Sequence, residues 1–195
     1  MAAKFLSLVH STVCHLDVTA RGRREQVRGV SMLDDSATTA NAELMTIGYE
    51  GASIDDFVAT LTAANVKCLI DVRELPLSRK KGFSKRALCE AVEAAGIRYE
   101  HIKSLGDPKP GRDAARAGDY KKFRQIFSAH LASTDAQSAL DSVIPVAIEG
   151  GACLLCFERC HKECHRSMVA DEILKRTDLG IRHIGVRHGL AGDCK

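Results

Sequence analysis

The run CLLCFERCHKECHR, residues 153–166, decides how the chain is read. Cys153 to Phe157 has the length and apolar character of a buried strand. Glu158 to Glu163 is polar. From Cys164 or His165 the pattern predicts a helix to about Arg176, stopped by Gly180. A strand passing through a short loop into a helix is the repeating unit of an α/β fold.

The same unit recurs on both sides of this run. Leu44–Tyr49 reads as a short buried strand. A helix capped by Ser53 follows, with Ile54, Phe57, Val58, Leu61 and Ala64 at helical spacing. Val66–Val72 is a second strand. Ser84 caps a helix that carries Leu88, Ala91, Val92 and Ala95 and closes at Gly96. Ile97–Ile102 is a third strand, followed by a loop through Gly106, Pro108, Pro110 and Gly111. Helices are expected over Asp119–Ala132 and Asp135–Ile144, the second limited or kinked by Pro145. Ile181–Val186 is the last strand. This alternation predicts a single Rossmann-like α/β domain over residues 44–187. Its sheet is mainly parallel, of about five strands, with helices on both faces.

Residues 1–43 keep neither period and are expected to form a poorly ordered extension; residues 188–195 read as a flexible tail. Hydrophobic residues are 45% of the chain, enough for a core, but Trp is absent and aromatics are 5%, so that core must be aliphatic. The net charge of +3 does not by itself predict a nucleic-acid ligand. No signal peptide or apolar run near about 20 residues is evident, which excludes a membrane-spanning helix and predicts a cytoplasmic protein. Its eight cysteines are then expected to be reduced.

In open parallel sheets ligands bind beyond the carboxyl ends of the strands. The residues there are the candidates. Gly48 and Tyr49 follow the first strand. Asp71 and Arg73 end the second, two apart and therefore on one face, with Ser78 in the next loop. Arg73 offers a planar fork for phosphate or carboxylate, and Asp71 can orient it or act as a base. The structural alternative is a buried Asp71–Arg73 pair that ties down its loop. Tyr99, His101, Lys103 and the Leu105-Gly106-Asp107 turn come from the third strand. Glu158 can move a proton at the end of the fourth. Cys164, His165 and Arg166 open the following helix, whose partial positive charge favours a thiolate and an anion.

Thr46-Ile47-Gly48, Asp71-Val72-Arg73 with Pro76 and Ser78, Phe83, Gly96-Ile97 with Tyr99, and Leu105-Gly106 form a pattern. Leu154–Glu158 and Cys164-His165-Arg166 complete it. It resembles the bacterial and archaeal "domain of unknown function 488" family over about residues 44–186. The resemblance implies a compact Rossmann-like α/β domain and names no reaction.

The leading expectation is an enzyme acting on an anionic substrate, a nucleotide or nucleic acid, by hydrolysis or attack at a glycosidic bond. Asp71, Glu158, Cys164 and His165 would be catalytic. Gly48, Tyr49, Arg73, Ser78, Tyr99, Gly106 and Arg166 would bind substrate. No resident cofactor or metal is assigned. The alternatives are a thiol-dependent redox or sulfur-transfer protein built on Cys164 with Cys156, and a zinc-stabilised binding module. Zinc would be held by Cys156, Cys160, Cys164 and His165. Cys153 and Cys156 point to opposite faces of one strand, so Cys153 reads as a buried hydrophobe.

Overall fold

The computed structural model describes residues 42–191. Five strands form one sheet: β1 Glu43–Gly48, β2 Cys68–Asp71, β3 Arg98–His101, β4 Ala152–Cys156 and β5 Gly180–Ile184. Their order across the sheet is β3-β2-β4-β1-β5, and all four neighbouring pairs are parallel. Helices α1 Ile54–Ala63, α2 Lys85–Ala94, α3 Lys109–Arg116, α4 Tyr120–Leu131, α5 Thr134–Glu149 and α6 His165–Leu174 connect them. The expected Rossmann-like α/β architecture is the one observed.

Strand alternation divides the core in two. Leu44, Ile70 and Leu154 face one side and pack with Phe123, Phe127, Leu140 and Val169 from α4, α5 and α6. Met45, Ile47, Leu69 and Leu155 face the other and pack with Phe57, Leu61, Leu88 and Val92 from α1 and α2. β1, β2 and β4 are buried on both faces, so apolar residues fill their even and odd positions alike. Ser53, Asp119 and Ser133 accept hydrogen bonds from backbone N–H groups at the starts of α1, α4 and α5.

Two expectations need correction. The loop through Pro108 and Gly111 contains helix α3, with Pro108 at its N-cap and Pro110 in its first turn. The first-turn N–H groups of a helix lack internal partners, so a proline there loses nothing. Helix α5 continues past Pro145 to Glu149, because packing of Val143 and Ala147 in the core outweighs the missing bond. The predicted extension falls outside the described residues apart from positions 42 and 43, the latter opening β1. Of the predicted tail, residues up to 191 are described, and Ala191 N donates to Asp56 Oδ1 on α1 at 3.1 Å. Among the described residues no helix is long and apolar enough to cross a membrane.

Candidate functional site

Five parallel strands place their carboxyl ends on one rim, so the turns after Gly48, Asp71, His101 and Cys156 meet there. Side-chain parity then sorts them into two clusters, one on each face.

The first cluster is built on Asp71 and Arg73. Arg73 Nε and Nη2 donate to the two Asp71 oxygens at 2.8 and 2.5 Å. Nη1 donates to Tyr49 Oη at 3.0 Å and to the Phe83 carbonyl at 2.8 Å. Tyr99 Oη donates to Asp71 Oδ2 at 2.6 Å. Burial and the Asp71 charge push the Tyr99 phenol up, so it stays protonated as that donor. Burial alone would weaken the charge on Arg73, but hydrogen bonding to Asp71 and its charge more than restore it. Asp71 is fully buried and Arg73 is 5% exposed. The fork of Arg73 is therefore occupied by its own chain. Tyr49 stacks on Phe83 with ring centroids 4.3 Å apart. Ser78 Oγ accepts from Lys80 N within its loop. At Gly106 a Cβ would lie 2.2 Å from Glu74 N, so glycine is needed for two loops to pass. His101 Nε2 donates to the Arg73 carbonyl at 2.8 Å.

The second cluster lies at the end of β4 and the start of α6. Glu158 Oε2 accepts from Cys156 Sγ at 3.0 Å and from Cys164 Sγ at 3.1 Å. His165 Nδ1 lies 3.6 Å from Cys156 Sγ. His165 Nε2 donates to the Val72 carbonyl at 2.7 Å. A carbonyl only accepts, so Nε2 carries hydrogen and Nδ1 is the nitrogen presented to the sulfurs. Donor atoms of Cys156, Cys164 and His165 all lie within 4.8 Å of one another, and all three residues are buried. Phe127 packs against the imidazole at 5.1 Å.

Helix α6 begins where it does because Cys164 is extended, with φ −124° and ψ 140°, and His165 is the first helical residue. That step turns Cys164 and His165 toward the end of β4. Arg166 fixes the intervening loop: Nη1 donates to the Glu158 carbonyl at 2.5 Å and Nη2 to the Arg159 carbonyl at 3.1 Å. Both Nη groups of Arg166, expected to bind substrate, thus meet backbone of the 157–164 loop. Gly48 lets this loop lie on β1, since a Cβ there would sit 1.9 Å from the Glu158 carbonyl oxygen.

Burial pushes the Cys156 thiol up and the Cys164 thiol well above its ordinary value. Removing a thiolate from water outweighs the small attraction of a helix start, so in the metal-free protein Cys164 is a thiol. Burial also raises Glu158, but the two thiol hydrogen bonds pull it down more strongly, below the usual carboxylate range. His165 is lowered by burial, yet the Cys164 sulfur, the Val72 carbonyl and the Glu158 carboxylate lift it to about 9.

The structure thus brings together Glu158, Cys164 and His165 in one cluster and Asp71, Arg73, Tyr49 and Tyr99 in another. The clusters touch through the Val72 carbonyl. Cys160, considered as a zinc ligand, is exposed and outside the compact set. Cys153 faces the other core. Asp107, in a candidate turn but assigned neither a catalytic nor a binding part, is 5% exposed with its carboxyl pushed up by burial to about 6. Cavities of about 220 Å³ beside α4–α6 and about 300 Å³ beside β5 border neither cluster.

A family model described as "Domain of unknown function DUF488" matches residues 53–173, which contain both clusters apart from Gly48 and Tyr49. No curated protein and no solved structure matches the chain.

Proposed function

We propose, from the premise that the chain belongs to the DUF488 family, that it binds a zinc-class metal ion through Cys156 Sγ, Cys164 Sγ and His165 Nδ1. The observation that supports this most is the compact set of two sulfurs and one nitrogen, buried and within 4.8 Å of one another. Two thiolates and an imidazole suit zinc, which takes four ligands in tetrahedral array. The Val72 carbonyl acts as the outer partner, fixing the ring so that Nδ1 faces the ion. A cation also reverses the local electrostatics. It deprotonates thiols that burial otherwise keeps neutral, and it attracts Glu158 on the same side as both sulfurs.

A thiol-based redox or sulfur-transfer reading has one observation in its favour: Cys156 and Cys164 converge on the same Glu158 oxygen. An anionic substrate, nucleotide or nucleic acid, has less. Arg73 and the Nη atoms of Arg166 donate to their own chain, and the cations left exposed around that rim, among them Arg79, Lys81, Lys85, Lys103 and Arg159, converge on no common point that the described contacts define.

Zinc titration of the full, reduced, metal-free chain against a chromophoric chelator separates these readings. Outer-shell changes alone weaken metal sites about 10–100-fold, so Cys156→Ser and Cys164→Ser should lose at least about 100-fold. Cys160→Ser should bind like the wild type. Equal affinity in wild type, Cys156→Ser and Cys164→Ser removes the metal reading. Iodoacetamide labelling of Cys164 faster than a free model thiol would then favour the thiol reading.

A further inference from the structure

The compact donor set has three members, and zinc takes four. Cys160, the fourth ligand expected from the sequence, is exposed and outside that set. Glu158 stands nearer. Its Oε2 meets both sulfurs, Cys156 Sγ at 3.0 Å and Cys164 Sγ at 3.1 Å. Bonds of about 2.3 Å to sulfur and about 2.1 Å to nitrogen or oxygen put neighbouring donors of a tetrahedron about 3.6 Å apart. Cys156 Sγ and His165 Nδ1 are already 3.6 Å apart. The two sulfur–carboxylate distances are shorter because thiol hydrogens bridge them. The main chain that carries the carboxylate is held in place. Arg166 Nη1 donates to the Glu158 carbonyl, and Gly48 leaves room for that carbonyl on β1.

Charge supplies a second, independent observation. Arg166 is 1% exposed. Its Nη groups donate to the carbonyls of Glu158 and Arg159, its Nε has no acceptor, and none of these contacts is with a carboxylate. A buried cation without a counter-charge is costly. A divalent ion with two thiolates and a neutral imidazole carries no net charge and leaves Arg166 as it is. Adding one carboxylate makes the centre −1, beside the residue whose carbonyl Arg166 already grips.

We propose that Glu158 is the fourth metal ligand, so that the site is closed and structural. The inference rests on the metal reading above. Binding breaks two S–H bonds, and the two protons leave to solvent with no change of oxidation state. The Glu158 oxygen then loses its thiol donors and moves outward from the sulfurs. It stands outside the 4.8 Å set, and a turn of the half-buried side chain about its anchored backbone brings it to the ion. Four protein donors leave no open position for water or substrate. The ion ties the end of β4, the 157–164 loop and the start of α6 into one unit.

Cobalt(II) loaded into the full, reduced chain, with azide as the probe of an open position, tests both layers separately. Thiolate-to-cobalt charge-transfer absorption that is present in wild type and lost in Cys164→Ser reports the metal site. In the wild type, azide should leave the cobalt ligand-field bands unchanged. Glu158→Gln and Glu158→Ala should keep the charge-transfer absorption, lose at least about 10-fold in cobalt affinity, and shift their bands when azide is added. Glu158→His supplies a nitrogen donor and should restore insensitivity to azide. Arg166 and Gly48 meet only the main chain of residue 158, so two side-chain variants guard against one that folds poorly. Azide-sensitive bands in the wild type, or wild-type affinity in both Glu158→Gln and Glu158→Ala, overturn the role of Glu158 and leave the metal site standing. Absence of charge-transfer absorption in the wild type overturns both.

Discussion

Asp71→Ala is the sharpest test of what the first cluster is for. The substitution leaves Arg73 at 5% exposure without its counter-charge, and leaves the Tyr99 hydroxyl without its acceptor. Removing one partner of a buried ion pair costs about 3–5 kcal/mol. Against a typical domain stability of about 5–15 kcal/mol, that is about a fifth or more of the total. At about 2–4 °C per kcal/mol for a chain of this size, Tm should fall by roughly 6–20 °C. The double variant Asp71→Leu/Arg73→Met removes both charges. It orphans the Phe83 carbonyl and the Tyr49 hydroxyl, at about 1 kcal/mol each. It should therefore be more stable than Asp71→Ala by about 1–3 kcal/mol. Urea unfolding followed by far-UV circular dichroism measures all three proteins. A loss below about 1 kcal/mol in Asp71→Ala would refute the reasoning. A gain in stability would mark the pair as a strained functional site instead.

The metal-free protein should lose stability as pH rises, in two windows. Asp107 is raised from 3.8 to about 6 by burial, with Glu158 adding to the rise, and His165 is raised from 6.5 to about 9 against its burial by the groups around it. Between each pair of values the folded chain binds more protons than the unfolded one, so stability falls with pH in both. Asp107→Asn should flatten the lower window and raise stability at pH 7 by about 1–2 kcal/mol, read from urea midpoints across pH. A flat profile in the wild type would contradict the burial of Asp107 and the contacts that lift His165. Gly48→Ala places a methyl group 1.9 Å from the Glu158 carbonyl oxygen, with backbone rather than a flexible side chain in the way. It should cost at least about 2 kcal/mol and weaken zinc binding about 10–100-fold. Wild-type affinity in a folded Gly48→Ala protein would show that the 157–164 loop does not depend on that approach.

Fold class was legible because periodicity is local. Apolar runs at 44–49, 66–72 and 153–157, separated by helical periods that begin after Ser53 and Ser84, report burial on both faces of a parallel sheet without knowledge of neighbours. Where the sequence misled, tertiary packing overrode a local breaker, as at Pro145 inside α5 and Pro110 at the start of α3. The rim itself also followed from the pattern, since parallel strands must end together.

What the sequence could not give was the partner of each side chain. Asp71 and Arg73 are two residues apart, and strand parity alone put them on one face. That Tyr49, Phe83 and Tyr99 complete their shell depended on three other turns. Cys156, Glu158, Cys164 and His165 are neighbours in sequence. Yet whether they form a donor set turned on the extended Cys164, on Arg166 gripping two carbonyls, and on the Val72 carbonyl fixing the imidazole from another strand. Asp107 is buried only because its turn packs on α4 and α3. Composition and periodicity are properties of short segments and set the scaffold. Ligand geometry and desolvation depend on which distant atoms share a few ångströms, and only the folded chain decides that.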